Sequence, residues 1–239
     1  MLVKTEAIVL SKLKYRDNDL IVKCYTRQKG ITSYLVRGAL KSQKGSSKSA
    51  YFQPLSFVSI EENYRTNRSL QSIREIKLDY QHKTLQTNVL KGAIVMFLSE
   101  VLTSVLKEEE QNEPLYNYIE SSLRILDNAN KFSNFHLLFL FNLTKFLGFY
   151  PDNLNMTFKY FNLSSGLFES QKNALYSISG ENLNTLKQLL KTDFETLHTL
   201  KLNSKQRQSF LNMLLLYFEL HLGDFKKPKS LQILNEVFN

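Results

Sequence analysis

The chain has no tryptophan, one cysteine, four prolines and eight glycines in 239 residues. A lone thiol, Cys24, closes no intrachain disulfide, which excludes a disulfide-stapled fold and points to a reducing compartment. Its alternation with Val22 and Thr26 reads as a strand position rather than a reactive site. So little Gly and Pro excludes collagen-like and low-complexity architectures. Long hydrophobic runs are missing too: the richest stretch, 135–149, is broken by His136, Asn142 and Lys145, and a membrane span needs about 20 apolar residues. Lys4 and Glu6 interrupt the apolar region that a secretory leader would require. The expectation is a cytoplasmic protein with no membrane partner.

Catalytic spacing is also wanting. The four histidines, His82, His136, His198 and His221, are far apart, and none pairs with Cys, Asp or Glu at metal-ligand spacing. They read as ordinary core or surface residues. There is no GxGxxG and no P-loop; Gly38 and Gly45 lie among Lys and Ser without the Lys-Ser/Thr that would follow. No catalytic residue, no metal and no cofactor is expected.

What is present in excess is positive charge. Lys and Arg number 31 against 22 Asp and Glu, a formal net charge of +9. The first fifty residues hold eleven Lys or Arg and three Asp or Glu, so nearly all of the surplus sits in one fifth of the chain. Such a balance favours polyanionic partners. Within this region Arg37-Gly-Ala-Leu-Lys41-Ser-Gln-Lys44-Gly-Ser-Ser-Lys48 has little to bury and reads as a mobile loop able to follow a phosphate backbone. Lys12, Lys14, Arg16, Lys23, Arg27 and Lys29 extend the basic surface. Tyr15, Tyr25, Tyr34 and Tyr51 are candidate base-stacking platforms, with packing as the alternative use of each.

Hydropathy divides the chain into two domains, 1–80 and 81–239. From Thr5 to Tyr80, five segments alternate at period two: TEAIVLSKL, DLIVKCYT, GITSYLVRG, LSFVSIEENY and SLQSIREIKLDY, with turn chemistry between them. Five short strands in about 80 residues suit an OB-fold barrel; an SH3-like barrel fits the same pattern. Beyond Tyr80 the period turns helical, giving helices from Leu85 to Leu106, at 115–127, from Ser133 to Leu147, and at 181–191, 204–221 and 229–237. Residues 153–170 interrupt them with alternation around Ser164-Ser165-Gly166, a β-hairpin insert. The fold class is α+β, an N-terminal five-stranded OB-fold barrel followed by an all-helical domain with that insert.

The order of these features resembles the RecO family of bacterial recombination mediators. The resemblance rests on KYRDNDLIV, GITSYLVRGALK with its Lys/Ser loop, and FQPLSFVSIE in the barrel. In the second half it rests on FLFNLTKFLGFYPD, FNLSSGLFE and YFELHLGDFKKPKSLQILNEVF. The resemblance implies a nucleoid-associated protein that binds single- and double-stranded DNA, anneals complementary strands and, with RecR, helps load RecA onto strands coated with single-strand-binding protein (SSB), without a catalytic site. By position, Arg16, Arg37 and Gly38 carry over from the family motifs; Lys41, Lys44 and Lys48 follow by charge. The family's site for the SSB C-terminal tail falls in the helical domain. There Leu137 and Leu138 occupy positions that are basic in some members, leaving Lys145 with Phe139 and Phe146 as candidates. Many relatives carry four cysteines in the insert, a zinc arrangement, whereas residues 151–175 have none. Two other readings stay open, an RNA-binding OB-fold accessory protein and a non-enzymatic adaptor with a basic docking face.

Overall fold

The computed structural model describes residues 2–41, 48–107, 111–172 and 175–238. Five strands close a barrel in the order β1-β2-β3-β5-β4: β1 Leu2–Tyr15, β2 Asp19–Thr26, β3 Gly30–Val36, β4 Phe57–Asn63 and β5 Leu70–Tyr80. Neighbours are antiparallel except β3 and β5, which run parallel. This is the OB-fold. Its interior is filled by Ala7, Val9, Leu20, Val22, Cys24, Tyr34, Val36, Val58 and Ile60, with Ala39 and Phe52 from the β3–β4 connection closing one end. The period-two pattern therefore did its expected work, placing alternate apolar residues inside. Burial pushes the Cys24 thiol up, so it is inert packing.

Among the described residues six helices follow: α1 Val89–Val105, α2 Glu113–Asn128, α3 Phe135–Phe146, α4 Gly180–Leu189, α5 Ser204–His221 and α6 Leu231–Val237. The first begins four residues later than its apolar pattern. Asn88 caps it by accepting from Lys91 N at 3.1 Å, and the N–H groups of Lys83, Thr84 and Leu85 are taken by the Asp127 carboxylate instead of a helix. The insert is a three-stranded sheet rather than a bare hairpin: β6 Tyr160–Asn162 pairs with β7 Leu167–Glu169 and also with β8 Ser177–Ile178. Among the described residues, no helix is long and apolar enough to cross a membrane.

Although the periodicity changes at Tyr80, the contacts divide the chain elsewhere. Residues 1–128 with 228–230 form one compact unit, and residues 129–227 with 231–239 the other. Within the first, α1 packs on β1, with Ser99 Oγ donating to the Leu10 carbonyl. Lys23 Nζ reaches Thr103 O at 3.4 Å and Tyr25 Oη reaches Asn112 O at 3.2 Å. Within the second, α3 and α5 supply most of the core. Asn203 and Gln206 form a capping box at the start of α5, and Tyr217 Oη donates to Phe149 O at 2.8 Å.

Candidate nucleic-acid interface

The basic residues of the barrel do not form one patch. Their placement follows from a β-bulge between Val9 and Ser11 in β1, which shifts the alternation by one residue. Past it, Lys12 pairs with Val22 and Lys14 with Leu20, on the side of the sheet that is interior elsewhere, whereas Leu13 pairs with Ile21 and Tyr15 with Asp19 on the outer side. Ile21 in turn pairs with Leu35, so Leu13, Ile21 and Leu35 make a cross-strand apolar row on the outer face. Leu13 is 66% exposed there.

At the end of that face the β1–β2 turn meets the segment after β3. Asp19 Oδ1 accepts from Gly38 N at 2.8 Å, and Asn18 O accepts from Leu40 N at 3.0 Å. Gly38 has φ +65, the left-handed region that glycine adopts without strain, and Lys41 N closes back on Gly38 O at 3.1 Å. These bonds draw Arg16, Arg37 and Lys41 to one end of the barrel. All three are exposed, and none has an ion-pair partner among the described residues. The Arg16 guanidinium lies 5.2 Å from the centroid of the Tyr15 ring, which is itself accessible. Cations beside an open aromatic and an apolar row are the elements that single-strand binders combine.

The other sequence candidates fare differently. Lys12 is exposed and its Nζ reaches Gln53 Oε1 at 3.5 Å; partial burial lowers its pKa. Lys14 is exposed, and Lys48 opens a short 3-10 turn, Lys48–Phe52. Lys44 lies outside the described residues. Lys23 is lowered by burial and then by the neighbouring charge of Lys107, and it is spent on a helix carbonyl.

Arg27 is engaged within the chain. It meets Glu6 at 2.6 Å, Glu120 at 2.8 Å and Glu113 at 3.4 Å, bonds Asn117 Oδ1 and lies over the Tyr116 ring. Burial alone would lower its pKa, but the bond to Glu6 and the surrounding carboxylates outweigh that and raise it. The cluster ties β1 and β2 to α2. Lys29 pairs with the fully buried Glu62 at 3.3 Å and sits over Tyr64. Neither presents an uncompensated charge to a phosphate. Of the four tyrosines, Tyr25 and Tyr34 are core residues and cannot stack on bases, and Tyr51 packs against the barrel interior.

A correction falls on Phe139. It is fully buried in α3, because that helix is apolar on nearly every side, so it offers no surface to a partner. Lys145 is exposed with Nζ 4.5 Å from the Tyr150 ring, and Phe146 is half-buried beside it in sequence.

Sequence reading passed over the β4–β5 turn. Arg65 and Arg68 are exposed there and, like Arg16 and Arg37, have no ion pair among the described residues. The signal that would have found them is the spacing RTNR itself, two cations in a turn next to Tyr64. Among the described residues no group of His, Cys, Asp and Glu could hold a metal ion. His82, His198 and His221 each bond a backbone carbonyl, of Leu55, Glu195 and Leu163, and His136 is buried, its pKa lowered to about 3 by burial and then by Arg207.

A closed barrel of this strand order, followed by helices, defines an OB-fold protein. Residues 1–81 match the family model for the N terminal of recombination protein O, and residues 86–232 match that for its C terminal. Relatives named DNA repair protein RecO align over the full length of both chains: 46% identical in Christiangramia forsetii, 41% in Flavobacterium psychrophilum and 39% in Bacteroides fragilis. The chain belongs to the RecO family, and its role lies in DNA repair.

Proposed function

We propose that this protein is a recombination mediator that acts by binding rather than by chemistry. It holds single- and double-stranded DNA on its barrel, anneals complementary strands and, with RecR, helps RecA replace SSB. The observation that carries the DNA-binding part is the convergence of Arg16, Arg37 and Lys41 on one end of the barrel, without acidic partners among the described residues, beside Tyr15 and the Leu13–Ile21–Leu35 row. Cations there neutralise phosphates and the apolar face takes unstacked bases. Lys12, Lys14, Lys44 and Lys48 extend the path by charge. The partnership with RecR and with the SSB tail rests on the family. For the tail, Lys145 with Tyr150 and Phe146 is the surface we favour, a cation beside aromatics suited to a terminal carboxylate.

Fluorescence anisotropy against salt tests the reading. Each phosphate contact on a single strand contributes a slope of about 0.7 in log affinity against log salt. The triple variant Arg16→Ala, Arg37→Ala, Lys41→Ala is expected to flatten the slope by about 2 and to slow annealing of SSB-coated strands. Unchanged slope and annealing would place the DNA path elsewhere. A stronger preference for structured RNA over DNA would favour an RNA-binding accessory protein, and no affinity for either at low salt would favour a protein adaptor.

A further inference from the structure

The barrel is paired incompletely between β3 and β5. Their parallel pairing covers only Ser33–Leu35 against Leu70–Ser72, so the first half of β3, Gly30–Thr32, has no strand across from it on that edge among the described residues. An unpaired edge leaves backbone polar groups in need of partners. The β4–β5 turn, residues 64–69, lies over this gap and leaves a cavity of about 80 Å³ lined by Lys29, Thr32, Ser33, Tyr64, Arg68 and Ser69 among others.

The turn is held rigidly. Gln71, only 3% exposed, accepts from Arg65 N at 3.0 Å through Oε1. Its Nε2 donates to the carbonyls of Arg65 at 2.8 Å and Arg68 at 2.7 Å. One buried amide thus fixes the backbone that carries both arginines, while their side chains stay exposed. The charge count is positive: Lys29 is balanced by Glu62, and Glu61 by Arg74. Arg65 and Arg68 remain without ion pairs among the described residues. Hydroxyls of Ser33, Thr66 and Ser69 line the same space. Pockets for whole organic ligands run to about 300–1,000 Å³, so this cavity is too small for a nucleoside. An oxyanion headgroup matches both its size and its donors.

We propose that this groove binds a phosphate group, with Arg68 as the principal cation and the hydroxyls completing the shell, while Arg65 in the same turn, outside the lining, adds positive charge at its approach. The inference rests on the strand-binding reading above and adds a second contact to it. Ser33 in the groove lies on β3 and Arg37 at the basic end follows one residue past it, four residues or about 13 Å further along the chain, so one strand can engage both. The phosphate is either an internal phosphodiester or a terminal monoester.

The experiment compares wild type with Arg65→Ala/Arg68→Ala, whose fold is guarded by Gln71 bonding backbone only, and is checked by circular dichroism. Long strands, and short oligomers with a 5′-phosphate or a 5′-hydroxyl, are titrated over a salt series. For an internal phosphodiester the variant's slope falls by about 1.4 with no dependence on the end group. For a terminal monoester, wild type prefers the phosphorylated oligomer and the variant loses that preference. Identical slopes and identical end preference in the two proteins overturn the groove. Inorganic phosphate, followed by amide shifts at Ser33, Thr66 and Ser69, separates this failure from that of the wider reading. A wild type that binds no strand yet shows those shifts would sink strand binding and leave the groove standing. A wild type that shows neither overturns both.

Discussion

Asp127 is the residue whose loss should cost the first unit most. It is the last-but-one residue of α2, is 1% exposed and receives four donors on its carboxylate. Thr84 N at 2.7 Å and Leu85 N at 3.2 Å reach Oδ1, Lys83 N at 2.9 Å and Tyr80 Oη at 3.2 Å reach Oδ2, and the Thr84 hydroxyl donates to the Asp127 carbonyl at 2.5 Å. Lys91 Nζ adds a bond to its carbonyl at 2.9 Å. Burial alone would raise this carboxyl, but the N–H groups of Lys83, Thr84 and Leu85 outweigh it and bring the pKa down from 3.8 to about 2. A depressed folded-state pKa stabilises the protein above the unfolded value and ceases to do so as pH falls through the folded one. The shift corresponds to about 2 kcal/mol, complete above about pH 5 and reduced to roughly a third near pH 2.5. Asp127→Asn keeps the shape but turns an NH₂ toward the donors at Oδ2, so it should lose at least about 2 kcal/mol at neutral pH. Urea unfolding followed by far-ultraviolet circular dichroism, with amide exchange of residues 80–91 to locate the loss, measures it. A gap between wild type and variant as wide at pH 2.5 as at pH 7 would refute the assignment of the stabilisation to the ionised carboxylate.

Two more outcomes follow from the packing. A fragment ending at residue 81 lacks the α2 partners of Arg27 and the α1 partners of Leu10 and Lys23. It should melt well below a fragment ending at 130, and equal melting temperatures would show that the two helices add nothing to the barrel. Gly166 has φ +71, and a Cβ there would stand 2.8 Å from Tyr217 Oη, which is itself bound to Phe149 O. Gly166→Ala should therefore destabilise the second unit by about 1–3 kcal/mol, and it should cost less in a Tyr217→Phe background, where the contact is gone and only the backbone strain remains. Full stability of Gly166→Ala by thermal melting would contradict this.

The barrel was legible because each strand carries its own evidence: Val22 and Cys24 alternate with Lys23 whatever they pack against, and a pleated strand puts the first two on one face. The helices were legible in existence and blurred at the ends, since Leu85 continues the apolar period of α1 while its N–H belongs to Asp127, 42 residues away. The third strand of the insert, Ser177–Ile178, is two residues long and carries no period at all. Positive charge in the first fifty residues is a property of composition, and so is the resemblance of ordered motifs; both are readable without coordinates. Which of those charges is free is not. Arg27 and Arg37 look alike in the chain, but Arg27 is met by Glu113 and Glu120, 86 and 93 residues later, while Arg37 meets no carboxylate among the described residues. Tyr15 and Tyr34 differ in the same way, one open beside Arg16 and the other sealed in the barrel. Alternation, composition and net charge are sums over neighbouring residues, so the sequence by itself determined five barrel strands, the helices after them and the basic character of the first fifty residues, while the strand order that makes the barrel an OB-fold came from the tertiary pairing. Compensation of a charge and exposure of a ring depend on groups brought from distant parts of the chain and on a single bulge between Val9 and Ser11, and only the tertiary structure decided those.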